Sequence, residues 1–182
     1  MDTLLSYLPP SDQGFMPYYL FIVGIVAVGN SFQNLITLHY TRRLYPNLFV
    51  PNPAVLTSST ITTVDKAGKK SPADRVDRLI PASPTGKDAE KAQDQITPLA
   101  ARLFGTWTLM AGVIRVYAAH NLHLRPVYEL ALMTHVIATA HYLSELLIFK
   151  TCGVELPQLF PLFVGPSGTI WMLLQYSHYV KA

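Results

Sequence analysis

The sequence predicts an all-α, polytopic membrane protein: a bundle of four transmembrane helices with a long disordered loop between the first and the second. Three observations predict it. Four apolar runs lie in one chain of 182 residues, at about 18–40, 99–121, 127–149 and 159–180, each near the roughly 20 helical residues that cross a hydrocarbon core. Only 14% of the residues are charged, against about 25% in soluble domains. One polar segment, 46–97, separates the first run from the rest and dilutes a mean hydropathy that is still +0.26. So short a chain is expected to be a single membrane domain over 1–182.

Composition removes several classes of function. The net charge is +3, and the basic residues do not cluster with interleaved aromatics, so nucleic acid is not an expected partner. The one cysteine, Cys152, excludes an intrachain disulfide and a cysteine-based metal site. No Lys or Arg precedes Arg42, so the basic start of a cleavable signal is missing. The first apolar run is expected to stay as a span.

That run carries no charge from Gln13 to Thr41. Tyr18 and Tyr19 suit one interface, and Tyr40 with Arg42 and Arg43 suits the other. Asn30, Asn34, Thr37 and Thr41 share one helical face, with Gln33 beside it. Amides in lipid seek a protein partner, so this face is expected to point into the bundle. Residues 46–97 then change character, as in Ser58-Ser59-Thr60 and Lys69-Lys70. No helical or strand period is sustained there, which predicts a disordered or loosely ordered loop.

The second span opens on Thr97-Pro98, a cap followed by a first-turn proline. Ala101, Gly105, Thr108 and Gly112 recur at i, i+4, i+7 and i+11 and line one face. Such a small-residue seam lets helices approach closely, either to close the bundle or to form a homodimer. The third span follows a short connection, which makes it an antiparallel neighbour of the second. The fourth run holds Pro157, Pro161, Gly165, Pro166 and Gly168. Its regular helix is expected to begin only near Pro166, with a kinked or re-entrant first half.

Depth decides which charges inside the spans can meet. Arg115 lies near the end of the second span far from the loop, level with Glu129 near the start of the third, and the two are expected to pair. Glu145 belongs at the loop side, level with Arg102, Thr106, Gln33 and Asn34, and one turn after His141. The ordinary role of these groups is a polar network that fixes helix packing. A proton-transfer site using Glu145 and His141 is the chemical alternative. Six histidines in all are too few for the clusters of a membrane di-iron oxygenase, and no dinucleotide fingerprint, phosphate loop or nucleophile elbow is present. No cofactor and no metal are expected.

Three blocks carry a resemblance. They are Gly29-Asn30-Ser31-Phe32-Gln33, then Ala101-Arg102-Leu103-Phe104-Gly105-Thr106-Trp107-Thr108 with Val113-Ile114-Arg115, then His141-Tyr142-Leu143-Ser144-Glu145 through Cys152. With their spacing, the chain resembles the Erg28-like family, that of ergosterol biosynthetic protein 28. The resemblance covers all four spans. The segment 46 to about 95 departs from it, being longer than the linker the family implies. What the resemblance implies is a non-catalytic, multi-pass scaffold of the endoplasmic reticulum membrane. Its implied partners are the sterol C-4 methyl oxidase, the 3β-hydroxysteroid C-4 decarboxylase and the 3-ketosteroid reductase, with other late sterol enzymes and membrane lipid. The matched positions Arg102, Gly105, Trp107, Arg115, Ser144 and Glu145 would then serve architecture and partner contact, beside the candidates Asn30, Gln33, Asn34, Gly112, Glu129 and His141. Two other classes compete: an intramembrane sterol isomerase with Glu145 and His141 as acid and base, and a small transporter with Arg115 and Glu145 along its path. Arg42, Arg43 and Arg102 flank the loop side, which the positive-inside rule assigns to the cytosol.

Overall fold

The computed structural model describes residues 7–53, 62–64, 70–72, 78–83 and 89–180. Helices dominate: α1 (Met16–Ile36), α2 (His39–Leu44), α3 (Pro98–Ala119), α4 (Arg125–Leu147), α5 (Leu156–Leu174) and α6 (Tyr176–Tyr179). Three of them, α1, α3 and α4, are long and apolar enough to cross a membrane. Helix α5, the expected fourth span, has 19 residues and is not one of those three.

The Thr97 hydroxyl accepts from the Ala100 amide at 3.1 Å, and Pro98 takes the first turn, where its missing N–H costs nothing. Helix α1 ends earlier than its apolar pattern does. The chain turns extended at Thr37 and re-enters a helix at His39. Helix α5 begins at Leu156, ten residues before Pro166, where regular helix was expected. Pro161 and Pro166 within it remove the donors for the Pro157 and Leu162 carbonyls, while hydroxyls bond the three carbonyls that follow Leu162. Ser167 donates to Phe163 O at 2.7 Å, Tyr19 to Val164 O at 3.0 Å and Thr169 to Gly165 O at 2.9 Å.

Helices α1 and α3 form the closest pair, α4 and α5 the next. The seam faces α1 and is spent inside the chain. A Cβ on Gly112 would lie 3.0 Å from Gly24 O, and one on Gly105 would lie 3.1 Å from Asn34 Cβ. Ala101, Gly105, Thr108 and Gly112 are all buried. A second close approach joins α5 to α4, where Gly168 packs on the His135 ring and the Tyr19 hydroxyl.

The apolar core sits at the end of the bundle far from the loop, around Met16, Leu20, Ala118, Leu122, Tyr128 and Met172. The Tyr128 hydroxyl donates to Met172 O at 2.7 Å and so is satisfied there. The outer faces remain apolar: Ile22, Ile25, Leu103, Met110, Val113 and Ile137 are each more than half exposed or close to it. Exposed apolar surface on this scale marks contact with lipid or with other helices.

The segment expected to be disordered contains short strands among its described residues. Phe49–Pro51 (β1) pairs antiparallel with Leu79–Pro81 (β4), and Thr62–Val64 (β2) with Lys70–Pro72 (β3). Phe49 also bridges to Gln93. Phe49 and Val50 are buried, so two apolar residues anchor a stretch whose composition is otherwise polar. Ser58, Ser59, Thr60 and Lys69, on which the loop reading leaned, lie outside the described residues; Lys70 falls within β3.

Candidate functional site

Two polar regions form inside the bundle, and they do not coincide. One is a narrow cleft with about 80 Å³ of free space, bounded by α1, α3, α4 and α5. Its walls are mostly apolar, with Val23, Ala27, Ala111 and Val164 among them, and Phe104 and Trp107 toward the loop side. Arg115, Asn30, Tyr40 and Tyr142 supply polar groups. Its free space is far below the roughly 300–1,000 Å³ of typical small-molecule sites.

Arg115 is 7% exposed. Its Nε donates to Thr134 Oγ1 at 3.0 Å and its Nη2 to Thr134 O at 3.2 Å. No carboxylate pairs with it among the described residues. The expected Arg115–Glu129 pair is therefore absent. Both depth and rotation separate them: Thr134 stands about 7.5 Å of helix rise beyond Glu129. Thr134 lies five residues after Glu129, about 140° around a helix of 3.6 residues per turn. The face of Ala131, Thr134, His135 and Ala138 turns inward, and Glu129 turns out. There Glu129 accepts from Arg125 Nε at 2.8 Å and from the Tyr176 hydroxyl at 2.5 Å.

The second region lies at the loop side, in an open cleft of about 240 Å³ lined by Thr41, Tyr45, Phe49, Phe104, His141 and Glu145 among others. Tyr45 Oη and His141 Nε2 share a hydrogen bond of 2.7 Å. Glu145 Oε2 accepts from the Thr151 hydroxyl at 2.5 Å. His141 Nδ1 and Glu145 Oε1 are 3.9 Å apart, too far for a hydrogen bond. Glu145 meets none of Arg102, Thr106, Gln33 or Asn34. Arg102 and Gln33 are exposed, and the Thr106 hydroxyl bonds Arg102 O in its own helix. Asn34 is buried, accepts from the Thr41 hydroxyl at 3.0 Å and reaches Asn30 at 3.5 Å. Trp107 packs its ring against His141 with centroids 5.5 Å apart. The Ser144 hydroxyl donates to His141 O at 2.8 Å. Among the described residues, no three or more His, Cys, Asp and Glu come together as a metal set.

Three contributors had no periodic signal in the sequence. Tyr45 lies in an irregular connection. Thr134 reads as an ordinary small polar residue of a span. Gln158 is buried at the head of α5 and donates to the carbonyls of Arg43 and Leu44 at 2.7 and 3.1 Å, which ties α5 to the end of α2. His135 is fully buried, with Nδ1 bonded to Ala131 O and Nε2 unpartnered.

Burial pushes the Tyr45 phenol well above its ordinary value, and burial also raises the Cys152 thiol, helped by the Glu145 carboxylate. Both groups are acids held neutral by the fold. The stability they contribute is complete below their ordinary values of 9.0 and 10.0 and is lost as pH rises past them. Thermal unfolding in detergent should therefore show a melting temperature that falls above about pH 9. In Tyr45→Phe/Cys152→Ser the fall should be shallower; an unchanged slope would remove these groups as its cause.

The family model described as Erg28 like protein matches residues 16–170, most of the chain. The chain belongs to the Erg28-like family. It is 44% identical over 181 residues to ergosterol biosynthetic protein 28 of Gibberella zeae, covering 100% of this chain and 99% of that one. The protein of that name from Candida albicans is 31% identical over 97% of this chain and 96% of its own. The one from Saccharomyces cerevisiae is 29% identical over 98% and 92%. No solved structure matches. The match to the Gibberella zeae protein runs through residues 46–97 at nearly equal length. The family is one of ergosterol biosynthesis, and the apolar helices make this member a membrane protein.

Proposed function

We propose that this Erg28-like chain is a non-catalytic scaffold of the endoplasmic reticulum membrane that gathers the sterol C-4 demethylation enzymes. Its partners are the methyl oxidase, the 3β-hydroxysteroid decarboxylase and the 3-ketosteroid reductase. The observation that carries the reading is the full-length match to proteins named for ergosterol biosynthesis. The geometry supports it. The small-residue seam is consumed between α1 and α3, while the outer faces stay apolar and open to other helices. His141 and Glu145 each bond elsewhere and do not form an acid–base pair. Helix α5 serves as the fourth span, continuing through Pro161 and Pro166. The loop side, with Arg42, Arg43 and Arg102, faces the cytosol.

Co-purification in mild detergent from a sterol-producing host tests this. Wild type and Glu145→Ala are compared, bound proteins are identified by mass spectrometry, and C-4 sterol intermediates by gas chromatography. The expected result is recovery of the demethylation enzymes with wild type, and no sterol conversion by the purified chain. Sterol conversion by the isolated chain, lost in Glu145→Ala, would replace the scaffold with an intramembrane acid–base enzyme.

A further inference from the structure

At the loop-side cleft, His141 and Glu145 each have one polar atom committed and one left open. The Tyr45 hydroxyl holds His141 Nε2 at 2.7 Å. Burial keeps that phenol neutral, so it has a proton to give. Donating it to Nε2 places the ring proton of His141 on Nδ1. The Thr151 hydroxyl holds Glu145 Oε2. What remains is a donor, Nδ1–H, and an acceptor, Glu145 Oε1, 3.9 Å apart. Neither is among the buried unpartnered atoms of the described residues, and the side chains are 33% and 19% exposed, so both open onto the cleft they line.

A donor and an acceptor at that separation fit one atom that can serve both. A hydroxyl oxygen seated between them accepts from Nδ1–H and donates to Oε1, at ordinary hydrogen-bond lengths. A ketone or an ether accepts but has no proton for Glu145. The walls beside the pair are apolar: Phe49, Ile96, Ala100 and Phe104. Ala100 and Phe104 stand one turn apart on α3, flanked by Leu99 and Leu103, each more than half exposed. The pair thus stands at the loop-side end of the spans, where apolar helix gives way to polar chain. The ligand that fits is an amphiphilic alcohol with its hydroxyl at the interface and its apolar body along α3. An open cleft of about 240 Å³ takes the hydroxyl end and leaves the rest of the body in lipid. A rigid body loses less freedom on seating than a flexible one. A sterol has this form, and the family is one of ergosterol biosynthesis. We infer that the loop-side cleft binds a membrane sterol by its 3-hydroxyl, held between His141 Nδ1 and Glu145 Oε1, with the first ring against Ala100 and Phe104. The inference stands apart from the scaffold reading, because it rests on this chain's own donor and acceptor.

Photo-crosslinking tests it on the full chain in phosphatidylcholine nanodiscs. The probe is an ergosterol analogue with a free 3-hydroxyl, a diazirine on the ring system and an alkyne on the side chain. Competitors are ergosterol, its 3-methyl ether, its 3-ketone and dioleoylglycerol. The probe should label peptides spanning residues 95–104 and 141–151. Ergosterol should compete at least about tenfold better than the ether or the ketone, since each lacks the proton that Glu145 accepts. His141→Phe keeps a ring and loses the donor, and should cut labelling about tenfold. Ala100→Phe should block labelling by filling the cleft. It leaves both polar atoms in place, and the Thr97 cap uses only the Ala100 backbone N–H. Equal competition by the ether and the ketone overturns the inference on the wild-type chain alone. Labelling unchanged in both variants also overturns it. So does equal competition by dioleoylglycerol, by making the cleft a site for any interfacial alcohol. The enzyme co-purification above is scored on the same variants. Labelling without co-purified enzymes sinks the scaffold and leaves the cleft; co-purified enzymes without labelling sink the cleft and leave the scaffold.

Discussion

Arg115→Met should give a chain more stable than the native one, by on the order of 1–3 kcal/mol. Arg115 is buried with two neutral acceptors and no carboxylate. Removing a buried ion usually leaves an orphan behind, and here it does not. The Thr134 hydroxyl already donates to Ala131 O at 2.7 Å, so it stays satisfied without Arg115. Methionine is flexible enough to fill the vacated space along the cleft. Thermal unfolding in detergent, with an unchanged elution profile, reads the gain. A loss of stability would mean that the guanidinium is compensated by contacts beyond Thr134.

Gly24→Ala should have the opposite sign and cost about 1–3 kcal/mol. The added Cβ would stand 2.7 Å from Val116 Cγ2 and 3.0 Å from both Gly112 O and Val116 N. A side chain can rotate away, but two backbone atoms cannot, so α1 and α3 must part. The control is Gly29→Ala in the same helix. Nothing lies within 4 Å of a Cβ there, and alanine's better helix propensity makes that change neutral or favourable by up to about 1 kcal/mol. Melting curves of the two variants should move in different directions. Equal shifts would mean that helix propensity, not the seam, governs this pair.

Sequence periodicity located the helices and their tight contacts well, because both depend on residues a few positions apart. The Thr97 cap and the Ala101–Gly112 seam are of this kind. Depth counting set Arg115 level with Glu129, about a turn and a half short of Thr134, which it meets. It could not supply the rotation of α4 about its own axis, which is set by long-range packing such as Gly168 on His135. That rotation turned Glu129 out and Thr134 in. Helix α5 was misjudged for a related reason. Prolines forbid backbone bonds locally, yet the helix runs through Pro161 and Pro166 because its packing on α4 holds it together. The loop-side site was half legible: His141 and Glu145 stood out, while Tyr45 and Thr151, their actual partners, come from irregular chain.

The pairing of α1 with α3, across the whole 46–97 segment, bears on how the protein is made. At about 5–20 residues per second, ~60 intervening residues take roughly 3–12 s to synthesise. During that interval the first span has no mate. It must lodge in the bilayer as a solitary helix with Asn30 and Asn34 unsheltered. The charge-free stretch from Gln13 to Thr41 is what lets it wait there, and Gln158, near the end of synthesis, latches α2 only after the last helix arrives.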